Sequence, residues 1–466
     1  MLFNSFEFLL FFPLVLLVYY LIPKNAVVYM MLMASALFYS FFIPAYLLIL
    51  LLVIVVDYFS ALGIEKYPDK KKVLLAMSIL SNVGILFIFK YYNFFVSTSN
   101  EFFGTHWVLL QIILPIGLSF HTFQSLSYVI EIYKGRYQAE RHPAYFALYV
   151  MYFPQLVAGP IETPQKLLPQ LRKAPQLDWE NIWSGLRLLL WGLFKKVVIA
   201  DRISFYVNGV FEHTSDYYSA QIALGVFFFT IQIYCDFSGY SDMAVGISKC
   251  FGIDLMFNFN RPLLARNIKD LWSRWHISLY QWFIQYIYIP LGGSRKGVAM
   301  MCFNVLLIFF VSGLWHGAGF NFILWGLLNG IFILLYQLVN KFIVTNRPIM
   351  PAFISIAITF GVVALIFVLF RSKELSQAQA IYSSLLHFKG PLTFAGTFDH
   401  FPFGNMNLSF VFLMIVLMFM LEAKVAPNLS YFASRPKIDF FFCTLLVLLI
   451  FFTGVFTKQN FIYFQF

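Results

Sequence analysis

Charge is what this sequence has least of. Only 11% of its 466 residues are Asp, Glu, Lys or Arg, against about 25% in a soluble domain. That deficit excludes an ordinary water-soluble enzyme or a solvated binding module. Cysteine is scarce too. Cys235, Cys250, Cys302 and Cys443 lie in or near apolar segments, at neither zinc-ligand spacing nor the spacing of a disulfide framework. They are expected to be buried, reduced thiols. No polar linker interrupts the chain. A length that would suggest about three soluble domains therefore reads as one polytopic domain over residues 1–466. The first apolar run, from Phe8 to Leu21, lacks a positive leading segment and is followed by more of its kind. It reads as a retained span, not a cleaved signal.

What is present is apolar: 61% hydrophobic residues and 59 phenylalanines, with a mean hydropathy of +0.77. Phenylalanine is expected to face lipid or fill the core. The net charge of +11 raises the question of nucleic acid. The basic residues collect in short loops instead, as the positive-inside rule requires, so no nucleic-acid partner is expected. A span needs about 20 apolar residues. Candidates fall near 4–22, 26–43, 45–63, 73–96, 108–132, 219–247, 299–317, 321–340, 351–370, 407–424 and 438–457. The stretch 186–203 is ambiguous because Lys195 and Lys196 interrupt it. The expectation is all-α, with roughly eleven or twelve spans.

Loop charge sets an expected orientation. The run from Lys66 to Lys72, the segment Lys134–Arg141 and the block 261–274 are basic and belong inside. The segments 97–107 and 203–218 lack Lys and Arg and belong outside. Counting places both termini outside. Two stretches are too broken for ordinary spans: Phe153–Pro160, with its prolines and glycine, and the ten residues Trp282–Leu291. Irregular backbone at membrane depth survives only when buried in protein or lining a cavity. Both read as re-entrant elements around a polar site, or else as interfacial helices and turns.

Three polar clusters stand out. The first is Gln232–Ala244, with Asp236, Ser238 and Asp242 inside a predicted span. An intramembrane ionisable residue suggests function by default, although pairing of either aspartate with an arginine would serve the bundle equally well. The second runs from Asn258 to His276 and alternates aromatic and basic residues, among them Arg261, Arg266, Arg274 and Trp275. Arginine suits phosphate and tryptophan suits the interface, so a phosphorylated cofactor and plain anchoring both fit. Gly292–Lys296 could cradle a phosphate or be only a turn. The third is Ser312–Ala318, where an apolar run ends in Trp315-His316-Gly317, with Asn321 nearby. An imidazole is costly in hydrocarbon unless partnered or set beside a cavity. Flanking glycines would let another chain or a substrate come close. His316 and His276 are the candidate catalytic residues, and no further ligand lies at metal spacing from either.

Taken together, these segments resemble the membrane-bound O-acyltransferase family, in particular its bacterial alginate and peptidoglycan O-acetyltransferase membrane subunits. The resemblance covers nearly the whole chain. It rests on Met1–Ser5, Pro115–Phe120, Phe153–Ile161, Asp236–Asp242, Arg274–Leu279 and Leu314–Gly317. It implies a ring-like helical bundle with a central tunnel, in the bacterial inner membrane. It implies that His316 is the family's near-invariant histidine and His276 the second active-site position. It also implies a cytoplasmic thioester donor, acetyl-CoA, and a polysaccharide acceptor outside the membrane. A periplasmic SGNH-type acetyltransferase partner would complete the transfer. The C-terminal stretch Asn460–Phe466 resembles short aromatic tails that carry acyl groups, which would make Tyr463 an acyl carrier. Otherwise Tyr463 is an interfacial anchor.

For acyl transfer from sulfur to oxygen, a hydroxyl needs a base in the transition state. Imidazole is suited to that task near neutral pH, and burial disfavours its charged form. His316 is the expected base, with His276 hydrogen-bonding the carbonyl or positioning the donor. Two rival readings remain at this point. One is a proton-coupled transporter or flippase using the intramembrane Asp and His residues. The other is a membrane scaffold of a polysaccharide export machine.

Overall fold

The structure is a computed structural model that describes residues 1–342, 350–392, 408–425, 429, 432, 435–456, 461 and 462. All its described regular elements are helices. Seven helices are long and apolar enough to cross a bilayer: Tyr46–Lys66, Pro68–Phe103, Ser219–Cys250, Val298–His316, Phe320–Lys341, Ala352–Arg371 and Pro436–Thr453. Two shorter apolar helices, Phe6–Leu21 and Leu408–Ala423, join them. The 21 residues of Tyr46–Lys66 give about 32 Å of helix, which matches a hydrocarbon core of about 30 Å. Phenylalanines such as Phe353, Phe451 and Phe452 are more than two-thirds exposed on these helices, as lipid-facing side chains would be. The chain is a multi-pass, all-α membrane protein.

Its residues group into two units, Met1–Leu189 with Tyr240–Phe257, and Leu190–Gly239 with Asn258–Phe466. In the first unit, an aspartate fastens three helices together. Asp57, fully buried on Tyr46–Lys66, accepts hydrogen bonds from Ser78 Oγ at 2.6 Å and Asn82 Nδ2 at 2.9 Å. A third comes from Ser125 Oγ, on the helix Leu118–Tyr133. A carboxyl group at this depth needs such donors, because neither lipid nor water replaces them.

The expected span at 108–132 is corrected. Residues 104–114 are non-helical and the helix begins at Leu118. Pro115 disfavours helical backbone in the residue before it, and Gly117 caps the helix with φ 76°. Side chains hold the extended run in place: Asn93 bonds both the N–H and the C=O of Leu110 at 2.9 and 2.8 Å. Hydropathy counts apolar side chains and takes no account of these backbone constraints. The stretch 186–203 is helical throughout, passing through a π-helical segment, Phe194–Ala200, that carries both lysines.

The two broken stretches differ from one another. Phe153–Pro160 is one helical turn followed by a bend, and every residue in it is buried. It is covered by protein, as a re-entrant element would be. Its Gln155, Gly159 and Pro160 line a small pocket of the first unit with Phe120, His121 and Gln124. Trp282–Leu291 instead runs through a π-helical segment, Ile284–Tyr288, into turns, and is partly exposed. Cys235, Cys250 and Cys443 are buried free thiols, and Cys302 is half-buried.

In the second unit, Val298–His316 and Phe320–Phe342 form a tight helical hairpin. Added Cβ atoms at Gly313 and Gly326 would collide with the carbonyl oxygens of Phe322 and Phe309. Gly313, inside the third cluster, therefore admits the neighbouring helix.

Candidate active site

His316 is the last residue of Val298–His316, and it is buried. Its ring meets three aromatic neighbours edge-on: Trp315 at 4.8 Å, Trp325 at 5.0 Å and Phe370 at 5.3 Å between centroids. Such T-shaped contacts are the favoured aromatic geometry and fix the plane of the imidazole. Trp325 stands on the far arm of the hairpin, so the close approach at Gly313 and Gly326 brings it to His316.

His276 reaches the same place by another route. It links the helices Ile268–Arg274 and Ile277–Phe283, with φ 45° and ψ 53°. Left-handed backbone at a residue with a side chain costs about 1–2 kcal/mol and persists only where its surroundings over-determine it. They do so here. Asn260 N–H donates to Arg274 C=O, Ile277 N–H to Asn258 C=O, and Tyr280 N–H to His276 C=O, at 2.9, 2.9 and 3.0 Å. Asn258 Oδ1 also accepts from Ser278 N–H at 3.1 Å. The second cluster is thus a backbone clamp whose product is the placement of His276. The ring of His276 lies 4.7 Å from Phe237 and 5.8 Å from Trp315.

Both histidines line one small pocket, with Trp272, Trp275, Leu279, Tyr280, Phe283, Ile308, Phe309 and Ser312. Trp272 is oriented by its Nε1–H, which donates to Asn329 Oδ1 at 3.1 Å. Two imidazoles in an apolar, aromatic-walled pocket are equipped to move a proton and to exclude water while doing so.

The other predicted residues separate into distinct groups. Trp275 lines the same pocket. Arg274 Nε is 2.7 Å from Asp270 Oδ1, one helical turn back. Arg261 donates from Nη1 to Ala423 C=O at 3.2 Å. Arg266 is exposed. Asn321 Nδ2 donates to Ser372 C=O at 2.6 Å and to Leu369 C=O, so it fastens the hairpin to the end of Ala352–Arg371. Asp242 is buried in the first unit. Tyr463 lies outside the described residues.

Asp236 and Ser238 reveal what sequence reasoning missed. The partner of Asp236 is a lysine, not an arginine: Lys196 Nζ lies 2.7 Å from Asp236 Oδ1 and 2.7 Å from Asp201 Oδ1. Lys195 Nζ donates to Ser238 Oγ at 2.9 Å and sits 3.8 Å from Glu422. All of these side chains are buried. The signal was available in the two adjacent lysines inside an apolar run, since buried cations require acids. Asp201, five residues beyond Lys196, was within reach of the sequence; Asp236, Ser238 and Glu422, distant along the chain, were not legible.

Comparison with known proteins bears on what this pocket does. Residues 141–376 match the family model described as MBOAT, membrane-bound O-acyltransferase family. The chain is 35% identical over 362 residues to a protein named "Peptidoglycan O-acetyltransferase" from Helicobacter pylori, covering 72% of this chain and 69% of that protein. It is 35% identical over 332 residues to a "Probable alginate O-acetylase AlgI" from Pseudomonas putida, covering 70% and 67%. At 26% identity over 275 residues it also matches a "Teichoic acid D-alanyltransferase" from Bacillus subtilis, covering 55% and 69%.

Proposed function

The chain belongs to the membrane-bound O-acyltransferase family, and on that footing we propose that it takes an acetyl group from acetyl-CoA on the cytoplasmic face of the bacterial inner membrane and passes it outward to a polysaccharide. It is an O-acyltransferase, and its relatives are named for peptidoglycan, alginate and teichoic acid. The observation that carries the fuller reading is the shared pocket of His276 and His316, walled by tryptophans.

His316 takes the proton of the attacking hydroxyl as its oxygen bonds to the thioester carbonyl carbon. The tetrahedral intermediate collapses, the carbon–sulfur bond breaks, and the thiolate leaves as free thiol with that proton. His276 stabilises or positions the carbonyl. Tyr463 supplies the attacking hydroxyl, and an SGNH-type partner moves the acetyl from tyrosine to the sugar. Both termini lie outside in this arrangement.

Incubating the membrane-embedded protein with labelled acetyl-CoA tests the reading against a transporter or a scaffold. An acyltransferase consumes the thioester and leaves label in an ester. An intact thioester with unlabelled glycan contradicts it.

Donor recruitment falls to the basic segment that begins at Arg261. Arg266 is exposed there and free to meet an anionic donor in solution. Neutralising Arg261 and Arg266 should raise the KM for acetyl-CoA more than it lowers kcat, as loss of uniform binding does. An unchanged KM would remove this segment from the donor site.

A further inference from the structure

The second unit holds Phe461 and Ile462, near the C-terminus, in its interior. Beyond the helix Pro436–Thr453, the chain is tied to the π-helical segment Phe194–Ala200 and its immediate neighbour. Arg202 Nη2 donates to Thr453 C=O. Val455 N–H donates to Val197 C=O at 2.9 Å. A π-helical turn shifts the regular bonding partners, and the Val197 carbonyl serves the incoming segment. Further along, Phe461 and Ile462 are only 1% and 2% exposed. Ile462 N–H donates to Asp236 Oδ2 at 2.7 Å, while the other oxygen of the same carboxylate is held by Lys196 at 2.7 Å.

This anchor stands next to the histidine pocket. The ring of Phe461 lies 6.0 Å from Phe237, which lies 4.7 Å from His276. One aromatic ring thus separates the docked segment from a candidate catalytic histidine. Asp236 itself is one residue before Phe237 on the helix Ser219–Cys250. Close approach of that helix to the chain entering the π segment depends on Gly239, where a Cβ would lie 2.7 Å from the Gly192 carbonyl oxygen and 3.3 Å from the Lys196 nitrogen. A charge-assisted bond from a carboxylate to a backbone N–H is short and strong, and an acid buried this deeply needs its lysine to remain ionised. The ion pair therefore prepares an acceptor for one particular peptide N–H.

We propose that Asp236, held by Lys196, is a positioning residue that docks Phe461 and Ile462 beside the histidine pocket, so that acyl transfer depends on it while donor binding does not. This rests on the acyl-transfer reading above and deepens it: Tyr463 follows the anchored Ile462 in sequence.

The test uses the full-length protein in membranes and two readouts. The first is kinetic. Asp236→Asn removes the charge that Lys196 holds, and Ile462→Pro removes the N–H donor, together with the buried isoleucine side chain, while leaving the buried ion network untouched. In both, glycan acetylation should fall by up to about 10²-fold, the scale of a misplacement of about 1 Å, with the KM for acetyl-CoA unchanged. The second is chemical. A thiol introduced by Phe461→Cys should resist a membrane-impermeant maleimide in the parent and react readily once Asp236→Asn is added. Unchanged glycan acetylation in both variants overturns the proposal. So does a thiol equally protected with and without Asp236, or a rise in donor KM matching the loss of transfer, which is how a merely structural residue behaves. Absence of acetyl transfer by the parent protein would sink the functional reading instead, and the thiol experiment would still decide the docking.

Discussion

Replacing His316 with alanine should reduce glycan acetylation by about 10²–10⁴-fold, the usual loss when a general base is removed. The protein should still insert and fold. The side chain sits at the end of its helix, and its packing is with rings that remain: Trp315, Trp325 and Phe370. Glycan ester content, measured at matched amounts of protein in the membrane, reports the effect. Near parental acetylation by a well-expressed His316→Ala protein removes His316 from the chemistry. His276→Ala should also be damaging. The clamp formed by Asn258 and Asn260 should hold, because an alanine in the left-handed conformation of residue 276 bears the same backbone strain, so the loss reports the missing ring.

The second large effect is expected at Tyr463. Tyr463→Phe keeps the aromatic ring and any interfacial anchoring but removes the hydroxyl that would accept the acyl group. Glycan acetylation should fall to background, while thioester binding persists. Full acetylation in Tyr463→Phe would leave the C-terminal tail as an anchor only. The comparison isolates a single oxygen atom, which a truncation of the tail would not.

The class of this protein was legible from composition, because scarcity of charge in a long apolar chain admits few folds. Most helices were legible too, since runs such as 45–63 and 299–317 differ from the observed Tyr46–Lys66 and Val298–His316 by at most three residues at either end. The error at 108–132 arose where Pro115 and Gly117 govern the backbone and hydropathy cannot register them. The two histidines could be singled out locally, one at the end of an apolar run and one in an Arg-Trp-His segment. Their common pocket could not, because it depends on the left-handed turn at His276 and on the glycine-mediated approach that brings Trp325 to His316. Asp57 was overlooked inside a good apolar run, and its partners Ser78, Asn82 and Ser125 come from two other helices. Lys196 and Asp236, 40 positions apart, could be recognised as one network only in three dimensions.

The central claim is that this protein passes an acyl group from a cytoplasmic thioester to a glycan on the other side of the membrane, with His316 as the base. Inverted membrane vesicles containing the protein and its glycan machinery test it most directly, with acetyl-CoA labelled in the acetyl group supplied to the exposed cytoplasmic face. Alkali-labile label is expected on glycan inside the vesicles with the parent protein, and about 10²–10⁴-fold less with His316→Ala. Label that stays on the thioester, or that reaches the enclosed glycan equally in both, would contradict it.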